Sequence, residues 1–273
     1  MKDVTALSAV QQIRRMRGGS QSHLMRASDG HFYVTKFRNN PQHVRVLANE
    51  FLASRIGLHL GLPTPEVAVM EVSEWLVDNT PALQINAAGL TQRCSNGLQL
   101  GVRYVADPEN ELVFDYLPES LMLDKVRNIQ DFARVLVLDK WTGNADGRQT
   151  VFSKPINARK YKANFIDQGY CFNCAEWNFP DSPLRGVYAR NAVYQHITGW
   201  NAFEPALSRA ENMDSADLWR FAEGMPEEWW HRGNPSDLEH LVENLYQRRS
   251  VIRGLITAFR KSSRNPFPDW IAV

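Results

Sequence analysis

The chain has 273 residues and a 44% apolar fraction, enough for one large domain or two small ones with a real core. Its 31 lysines and arginines nearly balance 30 aspartates and glutamates, leaving a net charge of +1, so no nucleic-acid footprint is evident at whole-chain level. Three cysteines give no disulfide framework, no stretch approaches the roughly 18 apolar residues of a membrane span, and the opening residues carry no signal-peptide run, so a cytoplasmic protein is expected.

Arg14, Arg15 and Arg17 form a local basic cluster that reads as a solvated face rather than a polyanion site. The first element is a hairpin within GGSQSHLMRASDGHFYVTKF, because Asp29-Gly30 tolerates the positive φ of a tight turn. Its strands run from Ser22 to Ala27 and from His31 to Phe37, with Phe32, Val34 and Lys36 on one face by the two-residue period. Gly18-Gly19 stands at the open end of this hairpin. A helix follows, with Asn40 as its cap and Pro41 in the first turn, where a missing N–H costs nothing. Val44, Leu47, Ala48 and Phe51 give it an apolar stripe, with Glu50 beside Leu47, and GLPTP ends it. EVAVMEV alternates and is β-branched, which predicts a strand. Residues 73–110 are polar, with scattered glycine and asparagine, and predict an insertion with short elements. ELVFDYLP predicts a further strand ending at Pro118, where a lobe boundary is placed, dividing the chain into 1–118 and 119–273.

The second half is mainly helical. Asp131 to Trp141 predicts a buried helix, followed by two short strands, Thr150 to Phe152 and Ala163 to Ile166. The C-terminal helix is marked by a capping box, Ser236 with Glu239, and by one apolar face from Leu238 to Phe259. Trp229-Trp230 and the closing FPDWIAV are expected to pack within the helical half. Cys171 and Cys174 form a C-x-x-C pair, but only Cys94 and scattered histidines remain to complete a zinc site. His196 and His231 have no partner at metal-ligand spacing.

The acidic residues carry the chemistry. Asp146, in GNADGRQTVF, follows the buried helix, and Asp167, in NFIDQGYCF, follows an apolar strand. That layout matches a kinase catalytic loop followed by a metal-binding aspartate. One carboxylate holds magnesium against phosphate oxygens, and the other orients an attacking hydroxyl and accepts its proton. Lys36, on a strand after a glycine-containing hairpin, suits the α- and β-phosphates of ATP, and Glu50 on the next helix suits a partner that fixes it. Val34 would line the adenine side. Each signal alone is weak; their order along the chain gives them weight.

The stretch LDKWTGNADGRQTVF with FIDQGYCF resembles the HipA-like kinases, and the likeness extends through GLPTPEVAVMEV and LQLGVRYVAD. The resemblance implies an α+β, two-lobed protein-kinase-like fold with a smaller β-rich lobe and a larger helical one. It implies Asp146 as catalytic aspartate, Asp167 as metal ligand and Lys36 as phosphate contact. GGSQSHLM, including Gly18, Gly19, Ser20 and Ser22, takes the place of the phosphate-covering loop. Many kinases carry an asparagine five residues after the catalytic aspartate; here that position is Val151, and Gln149 is the nearest amide for a second magnesium contact. A second register, Asp139 with Asn144, has the expected spacing, but Asp139 falls inside the helical run, where a hydrogen-bonded structural role is expected.

The expected function is transfer of phosphate from ATP with magnesium to a hydroxyl. The resemblance favours a protein serine or threonine over a small molecule. A non-catalytic nucleotide-binding module and a nucleotidyl transferase remain alternatives, and nothing in the residues reads the acceptor or the oligomeric state.

Overall fold

The computed structural model describes residues 6–87, 89–231 and 234–271. Its first half contains β1 (Leu7–Arg15), β2 (His23–Ala27), β3 (Phe32–Lys36), α1 (Arg45–His59), β4 (Val67–Val72), α2 (Glu74–Asn79), β5 (Gln84–Ala87), β6 (Leu90–Arg93) and β7 (Gly97–Arg103). The second contains β8 (Glu111–Phe114), α3 (Glu119–Lys125), α4 (Asp131–Thr142), β9 (Gln149–Pro155), β10 (Lys162–Ile166), α5 (Ala206–Glu211), α6 (Ser215–Ala222), α7 (Asp237–Arg248) and α8 (Ile252–Arg260), with short 3-10 turns between. The fold is α+β, with its main sheet N-terminal and most of its helix C-terminal. Among the described residues, no helix is long and apolar enough to cross a membrane.

Five strands close into a barrel in the order β1-β2-β3-β7-β4, with β1 parallel to β4 and the other pairs antiparallel. Met25, Tyr33, Met70 and Val72 fill one core, with Leu76, Leu83 and Ile85 from the segment between β4 and β6. The larger core is continuous across both halves: Val69, Leu100 and Val102 of the barrel meet Leu47 and Phe51 of α1, which meet Leu136 and Trp141 of α4. Helix α1 is therefore the packing element shared by the two halves. The three-stranded sheet β10-β9-β8 belongs to the helical half.

Several expectations need correction. The β2–β3 connection is a four-residue turn, with Gly30 at φ +82° and the Asp29 carboxylate accepting from the His31 N–H and the Tyr33 hydroxyl. Asn40 does accept from the N–H groups of Gln42 and His43, but this closes a turn ahead of the helix, which starts at Arg45 and excludes Pro41. The polar stretch 73–110 contains β7, a central strand between β3 and β4; its Gly97, Gly101 and Gln99 hide the β pattern, although Leu100 and Val102 are buried. The C-terminal helical run is two helices, α7 and α8, parted by a 3-10 turn at Arg249–Val251, and Ser236 makes no side-chain cap. Strand β8, expected to close the first lobe, is hydrogen-bonded to β9 through Phe114 and Phe152. We propose that the division between lobes lies close to β8, near the Pro118 boundary read from the sequence.

Trp229 is fully buried, and its partners lie outside the helical half: it packs edge-on against Phe51 of α1 and donates its indole N–H to the Leu98 carbonyl of β7 at 3.1 Å. Trp229→Ala should lower stability by about 3–5 kcal/mol, the usual range for a deleted core tryptophan. Trp229→Phe should cost less, since it keeps most of the ring contact. Denaturant melts would check both; a loss below 1 kcal/mol for the alanine variant would mean that the halves do not depend on this joint.

Candidate functional site

Barrel and helical half face each other across a cleft of about 900 Å³. Strand alternation delivers the first side chains. Tyr33 and Thr35 of β3 turn inward, with the Thr35 hydroxyl on the Met70 sulfur, so Val34 and Lys36 face the cleft. Helix α1 buries Leu47 and Phe51 in the core, and the same packing sets Glu50 against the cleft. Lys36 Nζ lies 2.5 Å from Glu50 Oε2 and 2.8 Å from Asp167 Oδ1, with the lysine and glutamate side chains 6% and 2% exposed and Asp167 24%. One ammonium thus joins a strand, a helix and the loop after β10.

The loop is shaped to meet it. Asp167 has φ +60°, a left-handed conformation costing an L-residue roughly 1–2 kcal/mol. Gly169 lies flat against α1, where an added Cβ would fall 2.4 Å from Val46 Cγ1. Asn49 holds the turn from the helix side, donating to the carbonyls of Gly169 and Cys174 at 2.8 Å each, while its own carbonyl accepts from the Trp177 indole at 2.7 Å.

The electrostatics follow from burial and pairing. Burial pulls the Lys36 pKa down, but the Asp167 and Glu50 carboxylates outweigh it and hold the ammonium above its ordinary value. Burial pushes Asp167 up, but Lys36 and Arg148 hold it below the usual carboxylate range. Burial keeps Glu50 above that range despite Lys36.

Helix α4 ends at Gly143, whose φ of +60° suits a left-handed cap, and the chain turns into the loop that carries Asp146. The exposed Asp146 carboxylate faces the cleft, accepting from the Gly147 N–H at 2.7 Å and from Gln149 Nε2 at 3.2 Å. Asn144 shapes the loop by accepting from the Asp146 N–H at 3.1 Å. Asp139 is buried at 1% exposure and does not line the cleft: its carboxylate takes both the Nε and an Nη of Arg148, and Asn144 Nδ2 at 2.9 Å. Arg148 also donates to Gln168 Oε1 and the Ile166 carbonyl, tying the Asp146 loop to the Asp167 loop.

Gly18, Gly19, Ser20 and Ser22 line the cleft from the barrel side, and Gln149 from the opposite side. With Val34, Lys36, Glu50, Asp146 and Asp167, every candidate site residue lies on one cleft. Sequence reading overlooked Val102, Val113 and Ile166, which complete an apolar slot beside Val34, and the bracing roles of Arg148 and Asn49. Burial of Val102 becomes expected once β7 is recognised as a central strand, whereas Asn49 gives no local signal. Arg14, Arg15 and Arg17 stand exposed at the rim. Cys171 is a buried thiol pushed up to about 12 by burial, and all three cysteines are free.

The residues suit a hard divalent cation in a particular way. Among the described residues, no group of three or more His, Cys, Asp or Glu could hold a metal alone. Glu50 and Asp167 exceed the one Lys36 charge, Asp146 adds a further carboxylate, and Val151 offers no donor. A site with few carboxylates and excess negative charge suits a hard divalent cation that takes few protein ligands and completes its shell with phosphates and water.

Replacing Lys36 by Met removes the cation that touches both carboxylates, so burial and mutual repulsion raise both folded pKa values above the unfolded ones. The native state then binds protons that the unfolded chain releases, and stability falls as pH rises through those values. The deficit of Lys36→Met relative to wild type should be about 3–5 kcal/mol at pH 7 and should shrink toward pH 5. Urea melts at both pH values would read it; an unchanged deficit would mean the carboxylates do not interact through Lys36.

Comparison with known proteins adds three findings. The HipA-like kinase family matches residues 9–250. No curated protein sequence matches the chain. The structure is similar to the Helicobacter pylori proinflammatory kinase CtkA, with a TM-score of 0.60, 16% identity, and 96% of this chain and 99% of that one covered. It is also similar to a Golgi casein kinase with Mn and ADP bound, at TM-score 0.50, 12% identity, 96% and 74% coverage. Shewanella oneidensis HipA, in complex with HipB and operator DNA, gives TM-score 0.51, 12% identity, 96% and 68% coverage. At these identities the likeness establishes the fold, which is kinase-like.

Proposed function

We propose, because the chain belongs to the HipA-like kinase family, that this cleft transfers the γ-phosphoryl group of ATP to a hydroxyl, with a protein serine or threonine as acceptor. The observation that carries the reading is Lys36 held at 2.5 Å and 2.8 Å by Glu50 and Asp167, in one cleft with Asp146. In this reading the slot of Val34, Val102, Val113 and Ile166 takes the adenine. Lys36, positioned by Glu50, contacts the α- and β-phosphates. The loop through Gly18 to Ser22 covers the phosphates, its backbone N–H groups facing the anion. Asp167 would be the principal protein ligand of a bound magnesium ion and the Gln149 carbonyl oxygen a further one, and the ion would offset phosphate charge. Asp146 orients the acceptor hydroxyl and takes its proton at the carboxylate. The bound manganese and ADP of the Golgi casein kinase support a nucleotide with a divalent cation here. Val151, on the cleft wall where many kinases carry a metal-binding asparagine, favours one second reading, a non-catalytic nucleotide-binding module.

ATP with magnesium at about 100-fold above its Kd should stabilise the chain by about 2.7 kcal/mol, roughly 5–8 °C in Tm. No shift would remove the nucleotide reading. Asp167→Asn should abolish transfer and weaken magnesium-dependent binding, because it removes the charge that faces the cation. Asp146→Asn should leave ATP binding near wild type and lower turnover by roughly 10²–10⁴. Asp139→Asn should act on stability instead, costing about 3–5 kcal/mol, because it strands the buried Arg148 guanidinium. A well-folded Asp139→Asn protein that has lost transfer, beside an active Asp146→Asn protein, would reverse the two assignments.

A further inference from the structure

The β5–β6 hairpin lies outside the barrel and, among the described residues, pairs with no other strand. Its base is fixed: Leu83, Ile85 and Cys94 are buried in the barrel-side core with Leu76 and Phe37. Burying Ile85 turns its neighbours Gln84 and Asn86 outward, and the backbone of both is used by the loop that borders the cleft. Gln21 Nε2 donates to the Asn86 carbonyl at 2.6 Å, and Gln21 Oε1 accepts the Asn86 N–H at 2.7 Å. The Gln21 amide thus pairs with an open strand edge as another peptide group would. Arg15, at the end of β1, donates to the same Gln21 oxygen. One step further on, the fully buried His23 ring approaches the Gln84 carbonyl at 3.3 Å and packs edge-on against Phe37.

Ser20 and Ser22 of the loop are buried, and its backbone adds a few hydrogen bonds of its own. Within it, the Met16 N–H donates to the Ser22 carbonyl at 2.8 Å and the Gln21 N–H to the Gly18 carbonyl at 3.2 Å, while Gly18 and Gly19 are exposed. Gln21 has φ +49°, a conformation an L-residue adopts at a cost, and here it aims the side chain at the hairpin. Hairpin, Gln21 and loop form one continuous connection from the barrel-side core to the rim of the cleft.

We infer that the β5–β6 hairpin is a brace for the loop of residues 16–22, and that Gln21 is a positioning residue that sets this loop over the nucleotide through its paired hydrogen bonds to Asn86. The functional half of this inference rests on the nucleotide reading above; the brace does not.

The test separates the two. Gln21→Met keeps the length of the side chain and the backbone demand but removes both hydrogen bonds. Gln21→Glu keeps an acceptor for the Asn86 N–H and Arg15 but cannot donate to the Asn86 carbonyl. Amide hydrogen exchange of residues 16–22 in the nucleotide-free protein should speed up about tenfold in Gln21→Met, the size expected from losing two hydrogen bonds, and by less in Gln21→Glu. Tm should stay close to wild type, and the Kd for ATP with magnesium should weaken by roughly 3–10-fold in Gln21→Met, in the same order as the exchange rates. Unchanged exchange in a folded Gln21→Met protein would overturn the brace. Faster exchange with an unchanged Kd would overturn the positioning role. Faster exchange in a protein whose wild type binds no ATP would support the brace and overturn the nucleotide reading.

Discussion

Lys36 reaches two carboxylates from two other parts of the chain, Glu50 on α1 and Asp167 after β10, and each of the three groups is costly to bury without the others. Their contact requires β3 in its barrel register, α1 docked with Leu47 and Phe51 inward, and the Asp167 loop pressed onto α1. The packing around them fits that demand. The Asp167 loop approaches α1 so closely that Gly169 leaves no room for a Cβ, and Asn49 holds it through two carbonyls. Arg45, one turn earlier on α1, donates to the Ala175 carbonyl at 2.9 Å, stacks on Trp177 and pairs with Asp237 of α7. Helix α1 is consequently fixed from both halves, and the lysine is the polar end of a largely apolar joint.

Two ion-pair systems divide the labour of the site. The Asp139–Arg148 pair is buried and extends to Gln168 and the Ile166 carbonyl, so it joins the end of α4, the Asp146 loop and the Asp167 loop into one frame. The Lys36 pair system stands at the cleft, open on one side. This separation explains how Asp139 and Asp146, seven residues apart, occupy such different surroundings. The first has its charge matched inside the protein; the second is exposed and accepts from Gly147 of its own loop and Gln149 at the start of β9, free to meet a ligand.

Much of this was legible because the local signals coincide with what the chemistry needs. Strand alternation alone places Val34 and Lys36 together. The apolar stripe of α1 sets Glu50 at its edge, beside Leu47, and Gly143 with Asn144 marks the turn before Asp146. What stayed hidden depends on distant partners. β7 carries Gly97, Gly101 and Gln99, so its membership in the barrel appears only when β3 and β4 flank it. Trp229 reads as an aromatic packed within the helical half until Phe51 and the Leu98 carbonyl are brought to it. Ser236 with Glu239 has the letters of a capping box, but Ser236 has helical backbone angles and makes no cap hydrogen bond. Asn49 and Gln21 matter through contacts 120 and 65 residues away, which no spacing rule reaches.

The central claim is that the Lys36, Asp146 and Asp167 cleft moves the terminal phosphate of ATP. Incubating the purified chain with ATP labelled at the γ- or at the α-phosphate, in magnesium, with a lysate as acceptor source, tests it most directly. The account requires label on protein from γ-labelled ATP alone, lost in Asp146→Asn and Asp167→Asn. Label transferred from α-labelled ATP would instead make the chain a nucleotidyl transferase, and no transfer from either, with ATP bound, would make it a binding module.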